Sequence, residues 1–290
     1  MSGTDSAQHR ALLLRSVDFG DRDRIVTLLT RDGGKVSAMA RGARGSRRRF
    51  VGLEPLCVLD VELLPGRGEL QRLQGCALRR GYPGVLRSLE AISEGGRAIE
   101  LLRSVTVPEH PEPELFDLVE SFFEALERWV LDPEAAAEPT RGSGLDAGRA
   151  GVEPPAGEVA GAATAGARPR AGRLCALSSE LRARVVAILG LLPELDACLH
   201  CGREAPPARA VLYASADDGV VCRACGGGEV LLSAAARGLL AALAGARPFA
   251  DAAWTDPGVR GVDELVSALL GRHVRAPTAR APGGRGGRPR

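Results

Sequence analysis

Four cysteines at positions 198, 201, 222 and 225 spell C-x2-C-x20-C-x2-C within CLHCGREAPPARAVLYASADDGVVCRACG, and no other feature of the chain restricts its folding so tightly. Each C-x-x-C-G half puts two thiolates on one tight turn, where Gly202 and Gly226 let the backbone pass beneath a metal with amides directed at sulfur. Cys198, Cys201, Cys222 and Cys225 together fill a tetrahedral shell without an open position, so the spacing predicts one zinc ion in a structural role. His200 is a rival ligand, but it stands between two better-spaced cysteines. A disulfide pair or unligated thiols are the alternatives. The seven cysteines are an odd number, and the N-terminus MSGTDSAQHR lacks the charged-then-apolar layout of a secretion signal. A reducing, cytoplasmic setting is therefore expected, which disfavours disulfides. No apolar run is long enough to suggest a membrane span. Cys57, Cys76 and Cys175 sit among apolar neighbours and read as core or incidental thiols.

At 290 residues and 45% apolar content the chain can bury the cores of two domains. Short apolar runs punctuated by glycine, ALLLRSV, RIVTLLT, KVSAMA, CVLDVELL and ELQRLQGCAL, predict five strands between residues 11 and 80. RDGG and LPGRGE supply turn chemistry, and a longer connection spans 41–56. This pattern suits a partly open barrel of the OB type, although spacing alone fits an SH3-like barrel nearly as well. From residue 82 the period becomes helical. In LFDLVESFFEALERWV, Leu115, Val119, Phe122, Leu126 and Trp129 share one face, while Asp117, Glu120, Glu124 and Glu127 lie largely opposite and are expected to face solvent. Gly95 and Gly96 mark a helix break or a close approach, and further helices are predicted at 178–192, 233–245 and 257–271. The expected fold class is α+β: an N-terminal OB-fold β-barrel over 1–81, then an α-helical domain containing a four-cysteine zinc-binding subdomain at 196–228. The helical domain covers 82–132 and 174–274, split by an Ala/Gly/Pro-rich insertion at 133–173 that is expected to be disordered, as is the basic tail at 275–290.

The net charge of +2 conceals a segregation: residues 1–80 carry fifteen basic and nine acidic groups, whereas 81–140 carry four and thirteen. The basic charge peaks in ARGARGSRRRF, residues 40–50. Arg41, Arg44, Arg47, Arg48 and Arg49 follow the third strand, Arg22 and Arg24 flank the second, and Lys35 opens the third. A solvated loop is the bland reading of such a run, and Lys35 is the only lysine, so arginine is this chain's default cation. On a barrel whose central strands and loops often cradle nucleic acid, however, the same residues form a phosphate-neutralising path. Phe19 and Phe50 are the only aromatics available for base stacking, which should therefore be minor. No P-loop, G-x-S-x-G or H-E-x-x-H motif is present, and no catalysis is expected. The ending GGRGGRPR is a second, flexible candidate contact for nucleic acid.

These residues resemble the bacterial recombination mediator family RecO. GDRDRIVTLLTRDGGKVSAMARGARGSRRRF and EPLCVLDVELLPGRGEL are similar to its OB domain, EGGRAIELL and LFDLVESFFEAL to its helical domain, and ILGLLPELDACLHCG to its passage from helix into zinc knuckle. The likeness runs in chain order over most of residues 10–275, excluding the insertion. The resemblance implies binding of single- and double-stranded DNA and annealing of complementary strands. It also implies contacts with RecR and with the acidic C-terminal tail of the strand-coating protein SSB, and a functional link to RecA and RecF, including RecA loading on SSB-coated strands, in the cytoplasm at the nucleoid. It puts the DNA surface on Arg24, Lys35, Arg41, Arg44 and Arg47, with Arg48 and Arg49 as local extras, and the metal on the four cysteines. The insertion and the ending GRHVRAPTARAPGGRGGRPR depart from the family pattern. An RNA-binding factor built from a barrel and a zinc ribbon, and a zinc-stabilised hydrolase, are the other readings this composition leaves open.

Overall fold

Alternating apolar residues build five N-terminal strands: β1 (Ala7–Phe19), β2 (Asp23–Thr30), β3 (Gly34–Ala40), β4 (Cys57–Arg67) and β5 (Leu70–Gly81). They close into a barrel in the order β1-β2-β3-β5-β4, with β1 pairing both β2 and β4. β3 meets β5 in parallel, and the other pairings are antiparallel. This is the OB arrangement, so the pairing resolves what strand spacing left open. The computed structural model describes residues 7–46, 48–132, 170–243, 249 and 256–273. Arg47, the basic tail and all but 170–173 of the expected insertion lie outside the described residues.

The barrel interior is filled by Ala11, Leu13, Val26, Leu28, Val36, Ala38, Leu59 and Val61. The opposite parity faces outward, and its two ends differ. At one end Leu12, Leu14 and Leu29 enter a core shared with the helices; at the other Val17 and Phe19 remain exposed.

A 3-10 turn, Val85–Arg87, leads into α1 (Leu89–Val105), capped by the Ser88 hydroxyl, which accepts from the Ala91 amide. The helix runs unbroken through Gly95 and Gly96; Gly95 is a close approach, because a Cβ there would stand 2.5 Å from Leu56 Cδ2. α2 (Pro113–Leu131) buries the predicted Leu115, Val119, Phe122, Leu126 and Trp129, and also Phe116 and Phe123. The last two overturn the expectation of a solvated acidic face. A pitch of 3.6 residues sets Phe116 and Phe123 beside Glu120 and Glu127, so burying the two rings brings those acids onto the barrel and the connection that leaves it. Glu120 pairs with Arg10, Asp117 takes both Nε and Nη2 of Arg31 at 2.8 Å, Glu124 pairs with Arg80, and Glu127 accepts from the Gly84 amide at 2.9 Å. The Arg31 guanidinium is held further on the charged side by Asp117.

α3 (Arg170–Ile188) takes up the last four residues of the expected insertion. Its Leu177, Leu181 and Val185 join the first core, while Ala183 and Val186 join a second one. That second core lies under a three-stranded sheet, β6 (Val211–Ala214), β7 (Gly219–Val220) and β8 (Val230–Leu232), in the order β7-β6-β8. The sequence reading expects helices and a four-cysteine subdomain in this half, and names no strands for that subdomain. α4 (Ala234–Ala241), capped as expected by Ser233, and α5 (Asp256–His273) complete the packing with Leu240, Val262, Leu265 and Leu269.

The barrel and helices also meet at the β2–β3 turn. Gly34 has a φ of +74°, and a Cβ there would fall 2.3 Å from the backbone oxygen of His110. Gly34→Ala should therefore cost about 2 kcal/mol or more in urea unfolding, since neither the left-handed φ nor the neighbouring backbone can give. Gly20→Ala, at φ +59° with nothing within 4 Å, is the matched control and should cost about half as much.

Candidate nucleic-acid surface and metal centre

The β1–β2 turn and the segment after β3 are stitched into one rim. The Arg44 amide donates to the Arg22 carbonyl at 3.1 Å, and the Gly42 amide donates to Asp23 Oδ1 at 2.8 Å. The Arg49 guanidinium donates to the Arg41 carbonyl and stacks 4.8 Å from the Phe50 ring centre. Arg24, on β2, donates through Nε to Asp18 Oδ1 at 3.2 Å, and Arg44 brings its own Nε to 3.4 Å from Asp18 Oδ2. Between these parts lies an open depression of about 680 Å³ lined by Arg22, Arg44 and Arg49 with Asp21 and Ser46. Arg22, Arg41 and Arg48 are exposed and make no side-chain ion pair among the described residues.

Two expected members do not join this group. Lys35 sits at the opposite end of β3, where its ammonium donates to the carbonyls of Arg103 (3.0 Å) and Thr106 at the end of α1. Burial lowers its pKa, and its place is a helix C-terminus where a cation meets converging carbonyls. Phe50, considered for stacking, is 6% exposed and packs in the barrel core, leaving Phe19 at 52% as the exposed aromatic beside the arginines. Strand pairing sets Val17 opposite Ile25 and Ile25 opposite Met39, so an apolar row crosses three strands next to Phe19.

Sequence reasoning missed what anchors the arginine segment. The Cys57 thiol reaches the carbonyls of Gly52 (3.2 Å) and Glu54 (3.0 Å), and the Cys76 amide donates to the Arg49 carbonyl at 2.9 Å. Burial pushes the Cys76 thiol up to about 11, so it stays protonated. The only available signal was that both cysteines fall on inward-facing strand positions, with Cys57 directly after this connection.

In the C-terminal half, the sulfurs of Cys198, Cys201, Cys222 and Cys225 lie within 4.8 Å of one another, and Cys201 Sγ is 3.8 Å from Cys222 Sγ. Four sulfurs about 2.3 Å from a common centre are separated by about 3.8 Å, so the donor set fits a tetrahedral metal. Gly202 (φ +69°) and Gly226 (φ +122°) make the turns that the spacing required. The Cys222 amide donates to Cys198 Sγ at 3.3 Å and helps draw that thiol down to about 6. Cys225, hydrogen-bonded to Cys222 and Cys201, is pushed up to about 12. A cation between the sulfurs is what would allow all four to be thiolates at this separation. His200 instead faces Asp217, with Nε2 3.2 Å from Oδ1. Among the described residues the four cysteines are the one group of potential metal ligands that converges.

Arg237 of α4, which nothing in the sequence singled out, is 5% exposed and ties the first knuckle to the helix. Its guanidinium donates to the carbonyls of Leu195, Ala205, Pro206 and Arg209 and to Asp196 Oδ1. It acts as a polar nucleus for a loop that has few apolar residues of its own.

Residues 1–82 match the family described as "Recombination protein O N terminal", and residues 174–281 match "Recombination protein O C terminal". The chain is 35% identical over 280 residues to a protein named DNA repair protein RecO from Anaeromyxobacter dehalogenans, with 93% of this chain and 92% of that protein covered. A protein of the same name from Myxococcus xanthus is 36% identical over 217 residues (74% and 71% covered), and one from Geobacter sulfurreducens is 32% identical over 268 residues (92% of each). The barrel, the helices and the four-cysteine knuckles thus lie within one collinear similarity, and the chain belongs to the recombination protein O family.

Proposed function

We propose that this protein acts in DNA repair as a non-catalytic recombination mediator that binds single- and double-stranded DNA, anneals complementary strands and helps RecA load on SSB-coated strands. The observation that carries this reading is the arginine rim at one barrel end. Arg22, Arg41 and Arg48 are exposed beside the pinned Arg24, Arg44 and Arg49, on a fold suited to oligonucleotides and in a family whose relatives are named for DNA repair. Annealing needs no reacting group. Guanidinium groups that neutralise phosphate reduce the repulsion between two strands, and the release of condensed counterions supplies the affinity. The apolar row of Val17, Ile25 and Met39, with Phe19, offers a place for unpaired bases while their phosphates lie on the rim. RecR, the acidic tail of SSB, RecA and RecF are the partners this reading carries from the family, and the cytoplasm, at the nucleoid, is the matching location. No described helix is long and apolar enough to cross a membrane. The metal is zinc: four thiolates in tetrahedral disposition suit it, and a closed shell braces the C-terminal subdomain rather than reacting.

Charge reversal of Arg22, Arg41 and Arg48 to Glu tests the surface without disturbing the fold, because these side chains support no ion pair among the described residues. Annealing of SSB-coated oligonucleotides should fall at least about tenfold, and the salt dependence of single-strand binding should flatten by about 0.7 in log–log slope for each phosphate no longer neutralised. Unchanged annealing means that the DNA surface lies elsewhere, and preferential competition by RNA would favour an RNA-binding factor. Phe19→Ala should weaken single-strand binding by about fivefold or more while leaving duplex binding nearly intact, as measured by fluorescence anisotropy. Elemental analysis should find one zinc per chain. Cys201→Ser with Cys222→Ser should remove it and open residues 196–232 to protease, with the arginine surface still binding oligonucleotides.

A further inference from the structure

The arginine rim contains a feature that simple charge counting scores as a defect. Asp18 lies in the middle of it, at the end of β1, with its side chain 54% exposed. Strand pairing puts Asp18 directly opposite Arg24. Each carboxylate oxygen meets a different arginine: Oδ1 accepts from Arg24 Nε at 3.2 Å, and Oδ2 stands 3.4 Å from Arg44 Nε. Arg44 is restrained a second time, its Nη1 donating to the carbonyls of Gly20 (3.4 Å) and Asp21 (3.2 Å).

Both contacts to Asp18 use the inner nitrogen of the guanidinium, not its outer edge. Arg24 keeps both Nη groups, and Arg44 keeps Nη2, without a partner among the described residues. A planar fork held at Nε presents its outer donors in a fixed direction, whereas an untethered arginine samples many rotamers and gives up that freedom on binding. One carboxylate between two guanidiniums also offsets their mutual repulsion, so two cations can stand closer than they otherwise would.

We propose that Asp18 is a positioning residue for phosphate: it holds Arg24 and Arg44 as a pre-set pair whose outer donors take successive phosphates of a nucleic-acid strand. This rests on the nucleic-acid reading of the rim and adds to it a residue of the wrong sign. The rule that acid opposes polyanion binding and the positioning role predict opposite outcomes for the same substitution. Removing Asp18 raises the net charge of the rim by one, so charge alone requires tighter binding.

The test measures oligothymidylate binding by the full chain across a salt series for the parent protein, Asp18→Ala, Asp18→Glu, Arg24→Ala with Arg44→Ala, and that pair combined with Asp18→Ala. Asp18→Ala should weaken binding by about three- to tenfold and flatten the salt slope by about 0.7 for each phosphate released from the pair. Asp18→Glu should recover part of the loss. In the Arg24→Ala/Arg44→Ala background the same change should have no further effect, because a residue that acts through these two arginines is silent without them. Thermal unfolding, measured alongside, should shift little, as the contacts are exposed. Tighter or unchanged binding by Asp18→Ala overturns the positioning role, and so does an equal loss in the double-arginine background. Failure of the parent protein to bind at low salt is a different result: it removes the nucleic-acid reading itself.

Discussion

The contact between α2 and the barrel decides what the rest of the molecule can do. Burial of Phe116 and Phe123 draws one face of the helix onto the strands, and the acids beside them then meet Arg10, Arg31 and Arg80. Aromatic burial supplies the larger stabilisation, since ion pairs this accessible contribute little on their own. Their effect is selective. Three basic side chains of the barrel are consumed internally, and Lys35 is consumed at the end of α1. The opposing net charges of residues 1–80 and 81–140 are thus partly a docking interface rather than a field presented to partners. At the far end of β3, by contrast, Arg22, Arg41 and Arg48 make no side-chain ion pair among the described residues, and there the cations cluster.

The same logic explains how much could be read from the sequence. The five strands and their approximate limits were legible because alternation and glycine turns are local. OB and SH3-like barrels differ in which strands pair, which is a non-local property, so the choice had to come from β1 closing on β4. The four cysteines were legible because both knuckles are short and their geometry allows few alternatives. The acidic face of α2 was misjudged because a periodicity argument weighs one apolar stripe, and Phe116 and Phe123 form a second stripe within the polar side. Lys35 and Phe50 were misplaced for a related reason: a strand-end position says nothing about whether a helix or a loop will arrive to cover it. Arg237 could not be found at all, because all its partners but Asp196 are carbonyls, which leave no trace in side-chain patterning.

The two halves of the chain are coupled through α3. It gives Leu177, Leu181 and Val185 to the core shared with the barrel, and Ala183 and Val186 to the core beneath the knuckle sheet. Between these faces lies a buried pair, Glu180 with Arg184, at positions i and i+4. The cysteine knuckles contribute few buried apolar residues themselves, so a cluster of four sulfurs that fits a metal ion and the Arg237 carbonyl cage stand there where packing stands elsewhere. Both belong to the C-terminal half and share no residue with the arginine rim of the barrel.

The division of labour between the single lysine and the many arginines follows from the geometry of each cation. Lys35 is a compact point charge, suited to converging carbonyls at a helix end, where its donors can turn to find each oxygen. The arginines are planar forks, and the fold repeatedly uses part of the fork and leaves the rest. Arg31 gives Nε and Nη2 to one carboxylate, Arg49 lays its plane on Phe50 while reaching a carbonyl, and Arg24 and Arg44 are gripped at Nε. An ammonium held by Asp18 would have its charge largely satisfied by that contact. A guanidinium held in the same way still projects two or more donors outward in a known direction. Arginine therefore lets this surface contain acids and still offer unpaired donors to an anion, because anchoring and presentation use different nitrogens of the same side chain.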